Sequence, residues 1–333
     1  MSSYIDIINS LKQKKFRPIY FLHGNEPFFI DQVSDYIENN VLDEAEKSFN
    51  FSILYGRDAE ISQIIETAKR FPMMSEYQVL IIKEAQDLKK IEELEGYFSQ
   101  PVSSTILVIC HKYKTADKRK KYLKAVQKNG VLFESKKLYE NEIPKWIQDF
   151  STAKGLKISP KSTILLCEFL GNDLQKISNE IDKLSIILGK GETITPEAIE
   201  ENIGISKDFN NFELQKAISL KDGFKAFQIV TYFANNPKEH SIFMILPSLA
   251  KHFTRILTIQ YETNKNPKHL ASVLKMSPFF ISEIIQASKL YTPRRVTEII
   301  HEIKLADLTS KGINTTNNNE GEILKELIYK ILN

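Results

Sequence analysis

Cysteines and long apolar stretches are scarce in this 333-residue sequence. Its two cysteines, Cys110 and Cys167, lie far apart, which excludes a disulfide framework and a CxxC zinc site. We therefore expect two buried thiols in the reducing cytoplasm and no bound metal. No apolar run approaches the ~18 residues that span a bilayer, and the first residues lack the basic region and apolar stretch of a signal peptide. We expect neither a membrane partner nor secretion.

Catalytic motifs are absent as well. The sequence contains no HExxH or GxSxG motif, no Ser/His/Asp spacing and no carboxylate pair that indicates a hydrolytic site. The six histidines are scattered along the chain and show no ligand spacing. The net charge of +3 is too small to indicate a class of partner. No catalytic residue and no cofactor are therefore predicted.

The first part of the chain alternates short apolar runs with helical patterns. Strands are predicted at these runs, which are 17–24, 49–55, 79–82, 105–110 and 131–134. Short apolar strands that alternate with helices are typical of an α/β layer with a mostly parallel, here five-stranded, sheet. Such sheets bind ligands at the carboxyl ends of their strands. The end of the first strand is therefore where a nucleotide site is expected.

The rest of the chain is predicted to be helical. Apolar residues at helical spacing predict helices at 142–153, 160–170, 173–188, a short one from 195, 212–235, 241–262, 268–274, 278–290, 294–309 and 320–332. A polar stretch at 204–211 separates two groups of helices. We predict an α/β domain at 1–140, a small helical lid domain at 141–208 and an all-α domain at 209–333. A helical domain without catalytic groups typically holds partners.

The predicted α/β domain lacks the residues of a phosphate-binding loop. That loop needs a glycine, four residues, and then Gly-Lys-Ser/Thr, because the backbone, the lysine and the hydroxyl hold the phosphates and magnesium. Aligned from Gly24, the sequence has Phe29 for the second glycine, Ile30 for the lysine and Asp31 for the hydroxyl. The third strand ends at Lys83-Glu84, where an ATPase carries Asp-Glu. We predict a site of nucleotide-binding layout that binds no nucleotide.

An apolar connector precedes the third predicted strand. The apolar face of a helix at 61–68 continues to Phe71, which is therefore expected in the core. Pro72 ends that helix because it has no N–H and restricts the residue before it. Met73 and Met74 are left in a short loop. Local sequence leaves two interpretations open, a lid over the core or a plug for a partner's pocket.

A basic segment lies between the fourth and fifth predicted strands. From His111 to Lys124, seven Lys/Arg side chains oppose one acid, Asp117, and a basic helix is expected. A solvated helix face and a contact to a nucleic-acid backbone are equally good interpretations. The candidate backbone contacts are Lys112, Lys114, Lys118, Arg119, Lys120 and Lys121.

The order and spacing of several stretches resemble the delta-subunit family of bacterial DNA polymerase III, which is part of the clamp loader. The matching stretches are IYFLHGNEPFF at 19–29, FPMM at 71–74, QVLII at 78–82, GNDL at 171–174, NEIDKL at 179–184 and LADLTSK at 305–311. The sibling subunits carry a four-cysteine zinc module and a Ser-Arg-Cys motif, and this sequence has neither. The resemblance extends over essentially the whole chain.

The resemblance implies a fold and a set of partners. The fold is an AAA+-like α/β domain, a helical lid and a helical collar, without ATP hydrolysis by this subunit. The partners are the ATPase subunits (tau/gamma) and delta prime in a hetero-pentamer, and primer–template DNA. The position at which AAA+ ATPases carry a sensor arginine is Gln175 here, which agrees with an inactive nucleotide site.

The resemblance also implies a clamp-binding element. In the family, two adjacent apolar residues at the tip of a helix enter a hydrophobic pocket on the beta sliding clamp and open one ring interface. The matching residues are Met73 and Met74, with Phe71 and Pro72 beside them. The family's usual Leu-Phe type of pair is replaced by two methionines, which adapt to irregular pockets.

Three hypotheses follow from the sequence. The first is a non-catalytic clamp-loader subunit of the polymerase III holoenzyme, which binds and opens the clamp during replication. The second is a divergent AAA+ ATPase with an atypical loop. The third is a DNA-binding adaptor built on the basic segment.

Overall fold

The computed structural model describes residues 4–206, 208–274, 276, 278–313 and 319–333, and of 168 and 278–280 it describes the backbone alone. The chain divides into two compact units, Met1–Leu138 and Tyr139–Asn333. The first predicted domain limit, at 140, lies beside this division. The second predicted limit, at 208, lies inside the second unit, and both limits stay predictions.

The first unit is an α/β domain. Its strands are β1 (Ile19–Gly24), β2 (Phe51–Tyr55), β3 (Gln78–Lys83), β4 (Thr105–Lys112) and β5 (Val131–Ser135), and its helices are α1 (Tyr4–Lys12), α2 (Pro27–Asn40), α3 (Glu44–Asn50), α4 (Ile61–Ala68), α5 (Glu95–Ser99) and α6 (Lys121–Asn129). The strands form one sheet in the order β2-β3-β4-β1-β5, with all neighbours parallel. The predicted α/β domain with a five-stranded parallel sheet is confirmed.

The strands are apolar on both faces because both faces are covered. Side chains of successive strand residues point to opposite faces. Ile19 and Phe21 of β1 pack in one core with Ile64 of α4 and Leu123 of α6. On the other face α2 contacts β1, β3 and β4. Continuous apolar runs are therefore the expected pattern for these strands.

The second unit is predominantly helical. Its helices are α7 (Ile143–Ala153), α8 (Pro160–Leu170), α9 (Leu174–Leu188), α10 (Pro196–Ile203), α11 (Asn211–Ser219), α12 (Gly223–Asn235), α13 (Ile242–Tyr261), α14 (Pro267–Val273), α15 (Pro278–Leu290), α16 (Pro293–Ser310) and α17 (Glu320–Leu332). Two short parallel strands, β6 (Lys157–Ile158) and β7 (Thr193–Ile194), lie in its first part. These strands were not predicted, because a strand of two residues is too short to show an alternating apolar pattern.

The predicted single helix at 212–235 is wrong. The chain breaks it into α11 and α12, and Lys221 between them has the left-handed φ of 56°. Asp222 then starts α12, since its side chain accepts a hydrogen bond from the N–H of Lys225 at 3.0 Å. Asp is a favoured N-cap residue because its carboxylate satisfies an N–H that has no partner in the helix.

The core of the second unit also corrects an expectation about apolar length. By length and composition, α13 is apolar enough to cross a membrane, although the sequence analysis expected no such run. Leu249, Phe253 and Ile256 of α13 lie buried in the core that α11–α17 share. A helix that is surrounded in a core has this composition too.

The two cysteines differ in burial. Cys110 is buried in β4, and desolvation raises the pKa of its thiol to about 12. Cys167 in α8 is half-buried, so the expectation of two buried thiols is wrong for this residue. Because its pKa is so high, the Cys110 thiol stays protonated and is chemically inert.

His23 near the end of β1 generates a prediction about pH. It is buried, and its Nδ1 accepts a hydrogen bond from the N–H of Ala116 at 3.1 Å. Burial lowers the pKa of His23 to about 4, while Glu134 acts to raise it and Lys118 and His111 to lower it.

Since an unfolded histidine titrates near 6.5, the unfolded chain binds the proton first as pH falls from 6.5 towards 4. The free energy of unfolding should therefore drop by about 1 kcal/mol from pH 6.5 to 5.5 through this group. His23→Asn, whose amide oxygen can still accept from Ala116, should reduce that drop in denaturant titrations. An equal drop in both proteins would contradict the assignment, and their difference at pH 8 gives the packing cost of the substitution.

Candidate functional site

The carboxyl ends of the parallel strands, here called the carboxyl edge, form the first candidate site. Gly24 ends β1 with a φ of 139°, and a Cβ built there would lie 1.9 Å from the main-chain oxygen of Ser135. The close approach of β5 thus requires glycine at this position. The glycine that began the phosphate-loop alignment has a purely structural explanation.

An internal carboxylate lies where a phosphate would bind. Glu26 is buried and caps α2, accepting a hydrogen bond from the N–H of Phe28 at 3.2 Å. Helix N-termini attract anions through free N–H groups and the helix dipole. Phe29 and Ile30, which stand in the glycine and lysine positions, are buried in the domain. The first turn of α2 is therefore supplied with an anion by the chain itself.

Ion pairs join the remaining residues of the predicted nucleotide site. The ammonium group of Lys112 lies 2.7 Å from Asp31 and 3.3 Å from Glu84. Lys83 pairs with Glu38 of α2 at 3.3 Å. Burial acts most strongly on Lys112 and lowers its pKa, but the hydrogen bonds and negative charges of Asp31 and Glu84 together outweigh burial and raise the pKa. Lys83 and Lys112 are therefore both held by carboxylates, and Lys112 contacts two of them.

The basic segment is not the predicted helix. Lys112 ends β4, residues 113–120 form a loop, and α6 begins only at Lys121. Lys118 pairs with Glu134, and Arg119 pairs with Asp117 at 2.9 Å. The structure therefore separates the six candidate residues into two sets. Lys112, Lys118 and Arg119 are in ion pairs, although Arg119 is also exposed, while Lys114, Lys120 and Lys121 are exposed outside these pairs.

The second candidate site is the loop at 70–77, which we call the tip loop. It connects α4 to the amino end of β3 and carries three exposed apolar side chains. Met74 is fully exposed, Phe71 is 82% exposed and Met73 is 60% exposed, while Pro72 is half-buried. The interpretation of Met73 and Met74 as a lid over the core is therefore wrong. The expectation of a core position for Phe71 is also wrong, because α4 ends at Ala68 and its face does not continue.

Two buried amide side chains hold the tip loop. Gln78, at the start of β3, donates to the main-chain oxygen of Arg70 and to Thr105 Oγ1. Asn50, the last residue of α3, accepts from the N–H of Met73 at 2.6 Å and donates to its oxygen at 2.9 Å. Met74 has a left-handed φ of 55°. The loop is therefore fixed by side chains from outside it, with its apolar groups in solvent.

Sequence reasoning missed the end of α3. Phe49 and Asn50 were assigned to the second strand, but β2 begins at Phe51. Phe49 is 73% exposed, whereas Asn50 is buried. Asn50 favours helix ends and turns, which was the only local signal. Its bond to Met73, 23 positions away, has no periodicity that a sequence reveals.

Gln175 belongs to the second unit. It is exposed near the start of α9, where its Nε2 donates to Asn179 Oδ1 at 3.0 Å. Among the described residues, no group of three or more His, Cys, Asp or Glu side chains could hold a metal ion.

The first unit thus has the AAA+-like α/β layout with ion-paired side chains at its carboxyl edge, and its exposed apolar loop is typical of a protein-docking element. Comparisons with known proteins agree. Residues 20–136 match the family model described as DNA polymerase III, delta subunit. DNA polymerase III subunit delta of Bacillus subtilis (strain 168) is 27% identical over 334 residues, which cover 97% of this chain and 94% of that protein.

The fold agrees as well. The solved structure of the Bacillus subtilis DNA clamp loader delta protein covers 99% of each chain, with a TM-score of 0.57 and 23% identity. The predicted resemblance is confirmed: the chain is similar, over nearly its whole length, to the delta subunit of the bacterial DNA polymerase III clamp loader. The predicted fold class is confirmed with it.

From the structure of the carboxyl edge, we predict that the chain does not bind Mg-ATP. Glu26 and the Lys112 ion pairs satisfy the groups that a triphosphate and its magnesium would contact, so a dissociation constant weaker than about 1 mM is expected. Fluorescent ATP-analogue titration and thermal shift with and without Mg²⁺ measure this. Saturable magnesium-dependent binding by the isolated chain would instead favour the divergent ATPase.

Proposed function

We propose that this chain is a non-catalytic clamp-loader subunit that binds a beta sliding clamp through Met73 and Met74 of the tip loop and opens one interface of the ring. The observation that supports the proposal most directly is the full exposure of Met74 beside the exposed Met73 and Phe71. Apolar side chains displayed together on a fixed loop favour insertion into a pocket of a partner.

The energy available from the two methionines fits a binding hot spot. Burial of one such side chain contributes about 1.5–3 kcal/mol, so the pair supplies a large part of a moderate affinity. Ring opening requires only that the chain bind the open clamp more tightly than the closed one. No chemical step in this subunit is needed, which agrees with the ion-paired carboxyl edge.

We infer the remaining partners from the similarity to delta subunits. The chain assembles with tau/gamma ATPase subunits and delta prime into a hetero-pentamer that loads clamps onto primer–template DNA. It acts in the cytoplasm, has no ATPase activity of its own and needs no cofactor. The proposed domains are the clamp-binding domain at 1–140, the lid at 141–208 and the collar at 209–333, and the collar helices hold the ring together.

Loss of the two methionine side chains should weaken clamp binding. For Met73→Ala/Met74→Ala we expect a loss of tenfold or more in affinity for the organism's own sliding clamp, which corresponds to about 1.4 kcal/mol. Surface plasmon resonance measures the affinity, and circular dichroism melts verify the fold. Because both side chains are exposed, the melting temperature should not fall.

The matched control is Ile186→Ala/Ile187→Ala, an adjacent pair of exposed apolar residues in α9. This variant should bind the clamp like wild type. Equal losses in the two variants would show that general surface apolarity, rather than the tip loop, determines binding. Absence of clamp binding by the wild-type chain would overturn the proposed function.

A weaker contact to DNA is a second proposal. The exposed Lys114, Lys120 and Lys121 can meet a phosphate backbone, and they carry no information about base sequence. The paired Lys112, Lys118 and Arg119 would first have to leave their acidic partners. We propose three backbone contacts in place of the six predicted.

Removing these charges should reduce the salt dependence of DNA binding. For Lys114→Ala/Lys120→Ala/Lys121→Ala, binding to a primer–template duplex should depend less on salt. The slope of log association constant against log salt concentration is negative, and its magnitude should decrease by about 2–3. Fluorescence anisotropy at several salt concentrations measures it. Lys12→Ala/Lys14→Ala/Lys15→Ala removes three exposed lysines from the same unit. An equal fall in this control would contradict a localised contact.

A further inference from the structure

The end of α3 makes a long-range polar contact with the tip loop. Asn50 is 4% exposed, and its amide uses its full donor capacity. One N–H bonds the oxygen of Glu46 in its own helix at 3.0 Å, and the other bonds the oxygen of Met73 at 2.9 Å. The amide oxygen accepts from the N–H of Met73 at 2.6 Å. One side chain thus holds both main-chain polar groups of a residue 23 positions away.

This pair of bonds fixes the main chain beside a strained residue. Met74 follows directly with its left-handed φ of 55°. A non-glycine residue keeps that conformation only when its surroundings determine it. The hydrogen bonds from Asn50 fix the main chain on the N-terminal side of Met74 and so help to keep Met74 in this conformation. The tip loop is therefore preorganised, and less conformational freedom is lost when a partner binds.

The same bonds hold the main chain of Phe49 close to the tip loop, and the side chain of Phe49 is 73% exposed. From the lengths of the bonds between Asn50 and Met73, the Cα atoms of Phe49 and Met73 lie at most about 12 Å apart. A standard interface buries roughly 800 Å² on each partner and is roughly 30 Å across. A partner that covers Met73 and Met74 is therefore wide enough to reach Phe49 as well.

We propose that the end of α3 is a second element of the clamp-docking surface: Asn50 positions the tip loop, and the Phe49 ring contacts the same clamp. This inference rests on the proposed function. Asn50 acts through the main chain of Met73, so it is a positioning residue. Phe49 adds apolar area of its own, and aromatic side chains are enriched among binding hot spots.

Hydrogen exchange of the free chain tests the positioning role without the clamp. In Asn50→Ala the amide of Met73 loses its acceptor and should exchange at least tenfold faster. The matched control is Asn129→Ala, which removes an amide at the end of α6 that donates to the oxygens of Phe98 and Ser99. This control should leave the exchange of Met73 unchanged.

Clamp affinity tests how the two residues contribute. Asn50→Ala and Phe49→Ala should each weaken binding about threefold to tenfold, and Asn129→Ala should not. In the Met73→Ala/Met74→Ala background, Asn50→Ala should cause no further loss, because a positioning residue has nothing left to position. Phe49→Ala should cause a further loss in that background, because its own contact persists.

The outcomes separate this inference from the proposed function. Slow exchange of Met73 in Asn50→Ala would overturn the positioning role, whatever the clamp result. A full additional loss from Asn50→Ala in the methionine-free background would also overturn it. If Phe49→Ala binds the clamp with wild-type affinity, Phe49 is not part of the clamp-docking surface. Failure of the wild-type chain to bind the clamp would overturn the proposed function, while the exchange result would still decide the role of Asn50.

Discussion

The parallel arrangement of the five strands is the constraint on which the first unit depends. All carboxyl ends meet at one edge of the sheet and all amino ends meet at the other. The nucleotide layout lies at the carboxyl edge, whereas the tip loop enters β3 at the amino edge. Strands of five to eight residues hold these edges roughly 17–26 Å apart. The fold thus separates the tip loop from the edge at which parallel sheets of this kind bind ligands.

At the carboxyl edge, the chain supplies its own counter-charges. The carboxylate of Glu26 caps α2, and Lys112 lies between Asp31 and Glu84. These groups satisfy the helix N-terminus and the strand ends that would otherwise attract a phosphate and a cation. The layout is kept by apolar packing on both faces of the sheet, which does not depend on what the edge binds.

The sequence predicted those parts of the structure that repeat along the chain. The strands were recognisable because a covered parallel sheet requires continuous apolar runs, and the helix predicted at 160–170 is α8. The missing phosphate loop could also be read directly, since it depends on residue types at fixed spacing. The two exposed methionines were located, although their exposure was not decided.

The errors arose where tertiary contacts override local pattern. Phe71 continued the apolar spacing of α4, but the helix ended at Ala68 and left its ring in solvent. The basic segment had helical composition, yet β4 pairs with β1 as far as Lys112. Asn50 was invisible because its partner is 23 positions away. Long-range polar contacts of this kind leave no periodic or compositional signal in the sequence.

The cap formed by Glu26 has a consequence for signalling. A bound nucleotide can be present or absent, and in the triphosphate or diphosphate form, so an ordinary ATPase domain has several states. A covalently attached carboxylate has one state, because it cannot dissociate or be hydrolysed. The N-terminus of α2 therefore does not change with the state of a bound nucleotide. In the proposed complex, any timing of clamp binding would therefore come from the other subunits.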